Sequence, residues 1–401
     1  MTATALPLEV EALDGELRRL AAWWLERGPD PAHGGFVGEV DARGRPQPAA
    51  NRSIVLVSRI LWFFSELARR QGRADCHAAA ERAYACLVQH FHDAEFGGVY
   101  WEVGPDGAVI GDRKQTYGQA FAIYGCVAWH RACGAAEPLE RALGYFERLE
   151  GPVRDRRHGG YLEALSRRWL TLYDLRLGSD DPNAPKSANT HLHLLEAYTE
   201  LYRAAPSPTV GEALRHLLGL FCDRIALAPE GPLGGFFDSR WNPQPGLQSF
   251  GHEIEASWLL CEALDALQDE RLAERVRPLA LGLARDCLER GVAADGRVCE
   301  HRDPDTGERC ETSVWWVQAE ALVGFLNACR LTGEERYHRA ADAVWSHIQR
   351  RHIDRAGGEW FWWPPDEPRA GPPPYKAGFW KGPYHNGRAM MEAARLLEGS
   401  A

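Results

Sequence analysis

Asp93-Ala94-Glu95-Phe96-Gly97-Gly98-Val99-Tyr100 is one copy of a short glycine-centred signature that returns along the whole chain. A shorter copy, Ala294-Asp295-Gly296-Arg297-Val298, keeps only one glycine of the pair. The first glycines of the six copies are residues 34, 97, 159, 234, 296 and 357, at intervals of 63, 62, 75, 62 and 61 residues. Six copies at so regular a period predict six structural units, each about two helices long.

Amphipathic runs fill the intervals, and their apolar residues recur at the spacing of a helix. The predicted helices cover residues 10–27, 54–70, 78–91, 117–133, 138–149, 191–202, 209–227, 253–267, 272–290, 314–331, 334–349 and 389–397. Each signature predicts a short turn or hairpin between two helices, because paired glycines supply the positive φ that a tight reversal needs. The sequence therefore predicts an all-α protein of twelve helices in six hairpins.

Six helical hairpins can stack as an open solenoid or close into an (α/α)6 barrel. We predict a closed barrel that spans residues 1–401 as a single catalytic domain, because the first helix must pair with the last to complete the sixth unit. A solenoid would also need polar capping repeats, which neither end shows. Residues 168–190 and 364–375, rich in turn-forming residues, are predicted to be long loops around a pocket at one rim.

Composition narrows the classes of partner. A net charge of −10 without a Lys/Arg run predicts binding to neither nucleic acid nor an anionic membrane. The first thirty residues do not resemble a signal peptide, so we expect a cytoplasmic protein, either monomer or homodimer. The ten cysteines form no CxxC pair and lie mostly in apolar helical runs, which predicts buried free thiols. Since no nucleotide or zincin motif is present, we expect no cofactor.

Three histidine-bearing segments, which contain His193, His252 and His385, lie at or just before the start of a predicted inner helix. Equivalent positions in a barrel converge on its axis, so these imidazoles are predicted to meet in the pocket. A metal site is an alternative, but no helix carries two histidines four residues apart. We favour acid–base chemistry without a metal.

Helix spacing separates the two histidines of the first segment. Asn189, His193 and Glu196 share one helix face at spacings of four and three, whereas His191 projects elsewhere. We therefore expect His193, rather than His191, to face the pocket.

In the second segment, Glu255 follows His252 by three residues on the same helix face, so this carboxylate is expected to orient the imidazole. Arg59 interrupts an apolar run, and a buried arginine needs a partner or a ligand. It would suit sugar oxygens or an enediolate, or form an inter-helix salt bridge. Trp316 and Trp380 are either core residues or stacking platforms for sugar faces.

Four motifs, at residues 186–198, 250–258, 315–321 and 380–388, resemble the cellobiose 2-epimerases of the N-acylglucosamine 2-epimerase superfamily. The resemblance extends from residues 58–62 to the C-terminus. It implies an (α/α)6 barrel and cofactor-free epimerisation at C2 of a reducing-end sugar. Two positions depart from the family pattern, since Ala188 stands where methionine is usual and Glu253 where aspartate is usual.

The resemblance also implies a role for nine residues. The acid–base pair falls on His252 and His385, and a third active-site histidine on His193. The sugar-binding positions fall on Arg59, Tyr117, Asn189, Glu255, Trp316 and Trp380.

The implied reaction opens the sugar ring, removes the C2 proton with one histidine of the pair, and forms a cis-enediolate stabilised by Arg59. Rotation about C2–C3 lets the second histidine return a proton on the opposite face. We expect imidazoles with an ordinary pKa near 6.5, which suit both steps at neutral pH. Protonation at C1 would instead give the ketose, so minor aldose–ketose isomerisation is expected.

The preferred function is epimerisation of β-1,4-linked disaccharides, such as cellobiose and lactose, with a small sugar as the only partner. A 2-epimerase or isomerase of free mannose or glucose would need the same histidines and is the main alternative. An inverting glycoside hydrolase that uses Glu255 and Glu320, or a sugar-binding or protein-interaction module without catalysis, are further alternatives.

Overall fold

The computed structural model describes residues 6–367 and 375–399. The α-helices in this part of the chain are α1 Val10–Arg27, α2 Ile54–Gln71, α3 Ala74–Cys86, α4 Thr116–Cys133, α5 Glu137–Arg148, α6 Ala188–Ala204, α7 Pro208–Leu220, α8 Phe250–Leu267, α9 Glu270–Asp286, α10 Trp315–Thr332, α11 Glu335–His347 and α12 His385–Glu398. The short strands are β1 Arg52–Ser53, β2 Glu102–Val103, β3 Val109–Gly111, β4 Lys114–Gln115, β5 Ala164–Leu165, β6 Lys186–Ser187, β7 Phe236–Phe237, β8 Gln248–Ser249 and β9 His301–Arg302. Each predicted helix corresponds to one of these helices.

The helices form two concentric rings. The inner ring consists of α2, α4, α6, α8, α10 and α12, and each of its first five helices packs against the outer helix that follows it in the chain. The last inner helix, α12, packs against α1, which completes the sixth hairpin. Helix α12 also meets α2, where Arg70 Nη2 donates to Glu392 Oε1 at 2.9 Å and Gly387 lies against the ring of Phe63. The (α/α)6 barrel is therefore closed, as predicted.

The six signatures form tight hairpins between an outer helix and the next inner helix. An antiparallel bridge closes each of them, at Pro29–Phe36, His92–Val99, Arg154–Tyr161, Ala226–Leu233, Val292–Val298 and Ile353–Trp360. Both glycines have φ between 64° and 80° in the first three copies, as predicted. In the fourth copy the prediction is wrong, because Gly231, rather than the Gly234–Gly235 pair, has a positive φ of 96°.

Five outer helices continue into a π-helical turn before the hairpin. These turns are Leu87–Phe91, Leu149–Val153, Phe221–Ile225, Cys287–Gly291 and Ile348–His352. Apolar spacing alone does not distinguish a π turn from an α turn, so the sequence analysis included most of them in the outer helices.

Ion pairs with a buried cation hold four of the hairpins. In the second hairpin, Asp93 Oδ1 accepts from the backbone N–H groups of Glu95 and Phe96, and Asp93 Oδ2 accepts from Lys114 Nζ at 2.8 Å. The same arrangement joins Arg52 to Asp30, Lys186 to Asp155 and Lys376 to Asp354. Removing one partner of such a pair would leave an uncompensated buried charge. These contacts therefore fix the backbone of the hairpins next to the segments that enter the inner helices.

Two further expectations concern the chain as a whole. All ten cysteines have free thiols, and six of them are buried, as predicted. None of the helices in residues 6–367 and 375–399 combines the length and the apolar character that crossing a bilayer requires.

Candidate active site

A cavity of about 520 Å³ opens at the N-terminal ends of the inner helices. All nine site residues predicted from the sequence line it: Arg59, Tyr117, Asn189, His193, His252, Glu255, Trp316, Trp380 and His385. Residues 177–181 also line it, so the predicted rim loop at residues 168–190 reaches the pocket as expected. Of the other predicted rim loop, residues 368–374 lie outside the described part of the chain.

The repeat explains why residues so distant in sequence meet. Arg59, His193, Glu255 and Glu320 are each the sixth residue of their inner helix, in α2, α6, α8 and α10. Because the inner helices are equivalent units of one barrel, side chains at the same helical position project towards the axis at a similar level. The repeat thus brings these four side chains, each from a different inner helix, to one level of the barrel.

Arg388, on α12, lies behind the cavity wall and binds three carboxylates. Its Nη2 donates to Glu255 Oε1 at 2.6 Å and to Glu320 Oε1 at 2.7 Å, while its Nη1 donates to Glu196 and to the hydroxyl of Tyr384. Arg388 is only 2% exposed. Its planar fork of donors joins carboxylates from three helices, which fixes their positions relative to α12.

His385 is held by one of these carboxylates. Its Nδ1 lies 2.6 Å from Glu320 Oε1 and 3.9 Å from Glu255 Oε1. Its Nε2 lies 3.5 Å from Arg59 Nη2. The carboxylates therefore surround Nδ1 and leave Nε2 on the side of the cavity that Arg59 occupies.

Arg59 is fixed by its neighbours without a carboxylate. Its Nη2 donates to the hydroxyl of Tyr117 at 3.0 Å, its Nη1 donates to the backbone oxygen of Trp380, and its guanidinium lies 4.6 Å from the ring centroid of Phe121. Within residues 6–367 and 375–399, no acidic side chain comes within ion-pair distance of it. The inter-helix salt bridge considered in the sequence analysis is therefore wrong, and the charge of Arg59 is available to a ligand.

His193 and His191 have different surroundings, as the helix spacing predicted. His193 lines the cavity, and its Nδ1 lies 3.1 Å from Glu196 Oε2. His191 supports a hairpin instead, since its Nε2 accepts from the backbone N–H of Tyr161 at 3.0 Å and its Nδ1 donates to the backbone oxygen of Ser187 at 2.7 Å. Burial lowers the pKa of His191 to about 3, which keeps this structural imidazole neutral.

His252 is not oriented by Glu255. In the described part of the chain, no hydrogen bond joins these two side chains, and Glu255 binds Arg388 instead. The prediction that Glu255 orients His252 is wrong, because a full positive charge from another helix is a stronger partner for a carboxylate than a neutral imidazole. The ring of His252 instead packs on Trp316, with 5.0 Å between centroids, and His385 packs on the same indole at 5.6 Å.

Gly251 allows this approach of Trp316. A Cβ atom at residue 251 would lie 2.4 Å from a ring carbon of Trp316 and 2.8 Å from Val317, closer than real contacts. Any larger residue would therefore push the indole away from the start of α8, where His252 lies.

Burial sets the protonation of the histidines. It lowers the pKa of His252 to about 4, helped by the nearby His193, and it also lowers the pKa of His193. Burial and the charges of Arg59 and Arg388 hold the pKa of His385 well below its ordinary value. The expected ordinary pKa near 6.5 is therefore wrong, and the imidazoles of the unliganded site are neutral at neutral pH.

The carboxyl groups divide into two kinds. Burial, together with the charge of Glu320, raises the pKa of Glu255 well above its ordinary value, and burial raises the pKa of Glu320 against the opposing charge of Arg388. Burial would also raise the pKa of Glu196, but Arg388 and the hydrogen bond with His193 lower it to about 2. Glu255 and Glu320 thus share one guanidinium nitrogen, and repulsion between their charges favours one proton on the pair.

Two hydrogen-bond acceptor atoms of the cavity residues have no partner among the described residues. They are Asn189 Oδ1 and Glu255 Oε2, both buried. Two indoles, Trp316 and Trp380, line the same cavity. Free acceptors beside aromatic faces suit a ligand that has several hydroxyl groups and apolar ring faces, which describes a sugar.

Glu196, Tyr384 and Arg388 have no catalytic part in the functions predicted from the sequence, and Glu320 has one only in the hydrolase alternative. The signal that could have found three of them is helical spacing. Glu196, Glu320 and Arg388 follow His193, Trp316 and His385 by three, four and three residues on the same helices.

Comparison with known proteins identifies the family of this chain. The model of the family described as N-acylglucosamine 2-epimerase (GlcNAc 2-epimerase) matches residues 34–367. The chain belongs to the N-acylglucosamine 2-epimerase family. This membership confirms the resemblance that the four motifs indicated.

Individual members of the N-acylglucosamine 2-epimerase family agree along nearly the whole chain. A cellobiose 2-epimerase of Bacteroides fragilis is 39% identical over 374 residues, which cover 93% of this chain and 95% of that protein. The solved structure of cellobiose 2-epimerase from Spirochaeta thermophila has 40% identity and a TM-score of 0.89, covering 98% of this chain and 97% of the other. A D-mannose isomerase of Thermobifida fusca is more distant, with 25% identity over 390 residues, which cover 92% of this chain and 89% of that protein.

Proposed function

We propose that this protein epimerises C2 of the reducing-end aldose of β-1,4-linked disaccharides, for example cellobiose to glucosyl-mannose and lactose to epilactose. The observation that carries the proposal is that His252 and His385, from two helices, pack on one indole and line one cavity with Arg59. Inversion of a carbon needs a proton acceptor and a proton donor on opposite faces, beside a group that stabilises negative charge. These three side chains supply that set.

The cavity dimensions support a disaccharide. A second cavity of about 250 Å³ adjoins the first and shares Asn189, His252 and Trp316 with it. Together they offer more space than one pyranose needs, and the relatives with 33–39% identity are cellobiose 2-epimerases. Because α2 and α12 both contribute to the site, we further propose that residues 1–401 act as one catalytic domain.

The reaction begins with ring opening. An imidazole accepts the O1 proton and delivers a proton to O5, which leaves an aldehyde at C1. Asn189 Oδ1 and Glu255 Oε2 accept hydrogen bonds from sugar hydroxyl groups and hold the open chain. Arg59 donates to the carbonyl oxygen, where negative charge develops in the next step.

Proton transfer at C2 uses the two histidines differently. His252 takes the C2 proton and becomes an imidazolium, while the electron pair of the broken bond moves towards O1 and gives the enediolate. After rotation about C2–C3, His385 Nε2 delivers a proton to the opposite face of C2 as His385 Nδ1 takes the proton shared by Glu255 and Glu320. His252 then releases its proton to solvent, His385 Nδ1 returns its proton to the carboxyl pair, and His385 Nε2 takes one up from solvent. The opposite epimer follows the same steps in reverse.

The positive charge in this scheme comes from arginine. Glu255, Glu320 and His385 present three atoms within 4.8 Å of one another, a spacing that would suit a metal. Arg388 Nη2 already bridges both carboxylates, so we propose that a guanidinium serves where a cation would otherwise be needed. The same contact disfavours the hydrolase alternative, because both carboxylates bind one arginine instead of flanking a glycosidic bond.

We expect the acid limb of the pH profile near pH 4. His252 must be neutral to accept a proton, and its pKa of about 4 keeps it neutral well below pH 6.5, where an ordinary imidazole would already be half protonated. On the alkaline side, the rate should fall when the pair of Glu255 and Glu320 loses its shared proton. The measurement is kcat/KM for cellobiose against pH, with circular dichroism at each pH to confirm folding. An acid limb at pH 6.5 would contradict the assignment.

Proton NMR in deuterated water tests the function directly. With cellobiose, we expect deuterium at C2 together with the signals of glucosyl-mannose, at a rate that a chelator does not change. Release of free glucose would support the hydrolase instead. If cellobiose stays unchanged while free mannose exchanges at C2, the substrate is the monosaccharide.

A further inference from the structure

We infer that Glu300, His301 and Cys310 form a binding site for a divalent transition-metal ion such as Zn²⁺. One carboxylate oxygen, one imidazole nitrogen and one thiol sulfur from these residues lie within 4.8 Å of one another, and His301 Nδ1 is 3.8 Å from Glu300 Oε2. Ligand atoms of tetrahedral zinc stand about 3.5 Å apart, given bonds of about 2.0–2.3 Å. Shifts of about 1 Å in three half-exposed side chains would therefore complete the site.

A hairpin brings the ligands together before any ion binds. Arg302 and Arg309 form an antiparallel bridge, and the backbone N–H of Cys310 donates to the oxygen of His301 at 2.9 Å. At the tip, Asp303 Oδ1 accepts from backbone N–H groups of the turn. Since the backbone is fixed by these bonds, metal binding needs only side-chain movement.

The ligand set selects the kind of metal. Thiolate, imidazole and carboxylate suit Zn²⁺ and Co²⁺, whereas Mg²⁺ and Ca²⁺ prefer sites made of oxygen alone. The sequence predicts buried thiols that lie mostly in helical runs, but Cys310 is half-buried in a loop, where its Sγ donates weakly to Thr312 Oγ1 at 3.3 Å. A metal would displace that thiol proton.

The position of the site connects it to the proposed sugar cavity. Glu300 lines both cavities, and His301 lines the second one. His301 also pairs across strands with Ser249, whose Oγ accepts from the backbone N–H of His252 at 3.3 Å. A bound ion would therefore draw Glu300 out of the cavity wall beside the start of α8. Zinc held by three protein ligands keeps one position for water or a sugar hydroxyl.

Titration of the full chain with Co²⁺ tests the site independently of catalysis. We expect one equivalent to bind, with the near-ultraviolet charge-transfer band of a cobalt–thiolate bond, and Zn²⁺ to remove that band. Cys310→Ser should lose the band, and His301→Ala should weaken binding by at least about tenfold. Cys222→Ser is the matched control, because this thiol is also half-buried but lies on another element, and it should keep the band. A band that survives in Cys310→Ser, or no saturable band in the unmodified protein, would overturn the inference.

The effect on sugar binding rests on the proposed function and needs a second measurement. We expect Zn²⁺ to raise KM for cellobiose by about fivefold or more in the unmodified protein, but not in Cys310→Ser. An unchanged KM with zinc bound, as judged by displacement of cobalt, would overturn the link between metal and sugar. If no sugar is epimerised while the cobalt band appears as expected, the metal site stands and the proposed function falls.

Discussion

Replacement of His385 by asparagine is expected to slow epimerisation of cellobiose by at least about 10³-fold while the barrel stays folded. Asparagine keeps a hydrogen-bonding group for Glu320 Oε1, which lies 2.6 Å from His385 Nδ1, but it cannot take up or deliver a proton at C2. His252→Asn should lose a similar factor, because each face of C2 has its own imidazole. The measurement is the rate of C2 inversion by NMR, with thermal melting to confirm folding.

The two variants can be told apart by starting from each epimer. His385→Asn retains His252, so it should still exchange the C2 proton of one epimer with solvent deuterium, without inversion. His252→Asn should do so only with the other epimer. His33→Asn is the control, because His33 lies 40% exposed in the first signature hairpin, and its activity should stay within about twofold. Turnover like that of the unmodified protein in either active-site variant would refute the mechanism.

Arg388→Met is expected to lower the free energy of unfolding by about 3–5 kcal/mol and to remove epimerisation. The substitution keeps much of the side-chain volume but leaves Glu196, Glu255 and Glu320 buried without their shared cation. It also releases the carboxylate pair that positions His385. Equilibrium unfolding in urea measures the loss of stability, and the NMR assay measures the loss of activity.

Arg395→Met provides a matched control on the same helix. Arg395 is 47% exposed and pairs with Glu262 and Glu392 near the surface, so its loss should cost less than about 1 kcal/mol. The deficit of Arg388→Met should also shrink as the pH falls, because its unpaired carboxylates bind protons more tightly in the folded than in the unfolded state. A deficit equal to that of Arg395→Met, or one that grows as the pH falls, would show that Arg388 is not the shared partner.

The barrel could be predicted from sequence because its signals are periodic. The glycine signature marks every hairpin, and the apolar spacing marks every helix, so even the pairing of α1 with α12 followed from counting units. The same spacing placed His193, and not His191, in the cavity. Such patterns can be recognised in the sequence because each depends on residues that lie close together in the chain.

The partners of the catalytic groups could not be predicted in this way. Spacing placed Glu255 on the face of His252, but the choice of Glu255 between that imidazole and Arg388 depends on a side chain 133 residues away. The pKa of His252 likewise depends on how completely the closed ring excludes water, which spacing does not report. Competition between partners and desolvation are properties of the assembled barrel.

Helix α12 closes the ring against α1 and α2, and it also carries His385 and Arg388. During synthesis it is the last of these helices to leave the ribosome. Until then, α1 has no inner helix to pack against, and the buried carboxylates of α6, α8 and α10 lack the arginine that they share. A nascent chain that ends before residue 385 therefore lacks both the closed ring of helices and the imidazole of His385. Closure of the barrel and completion of the active site depend on the same helix.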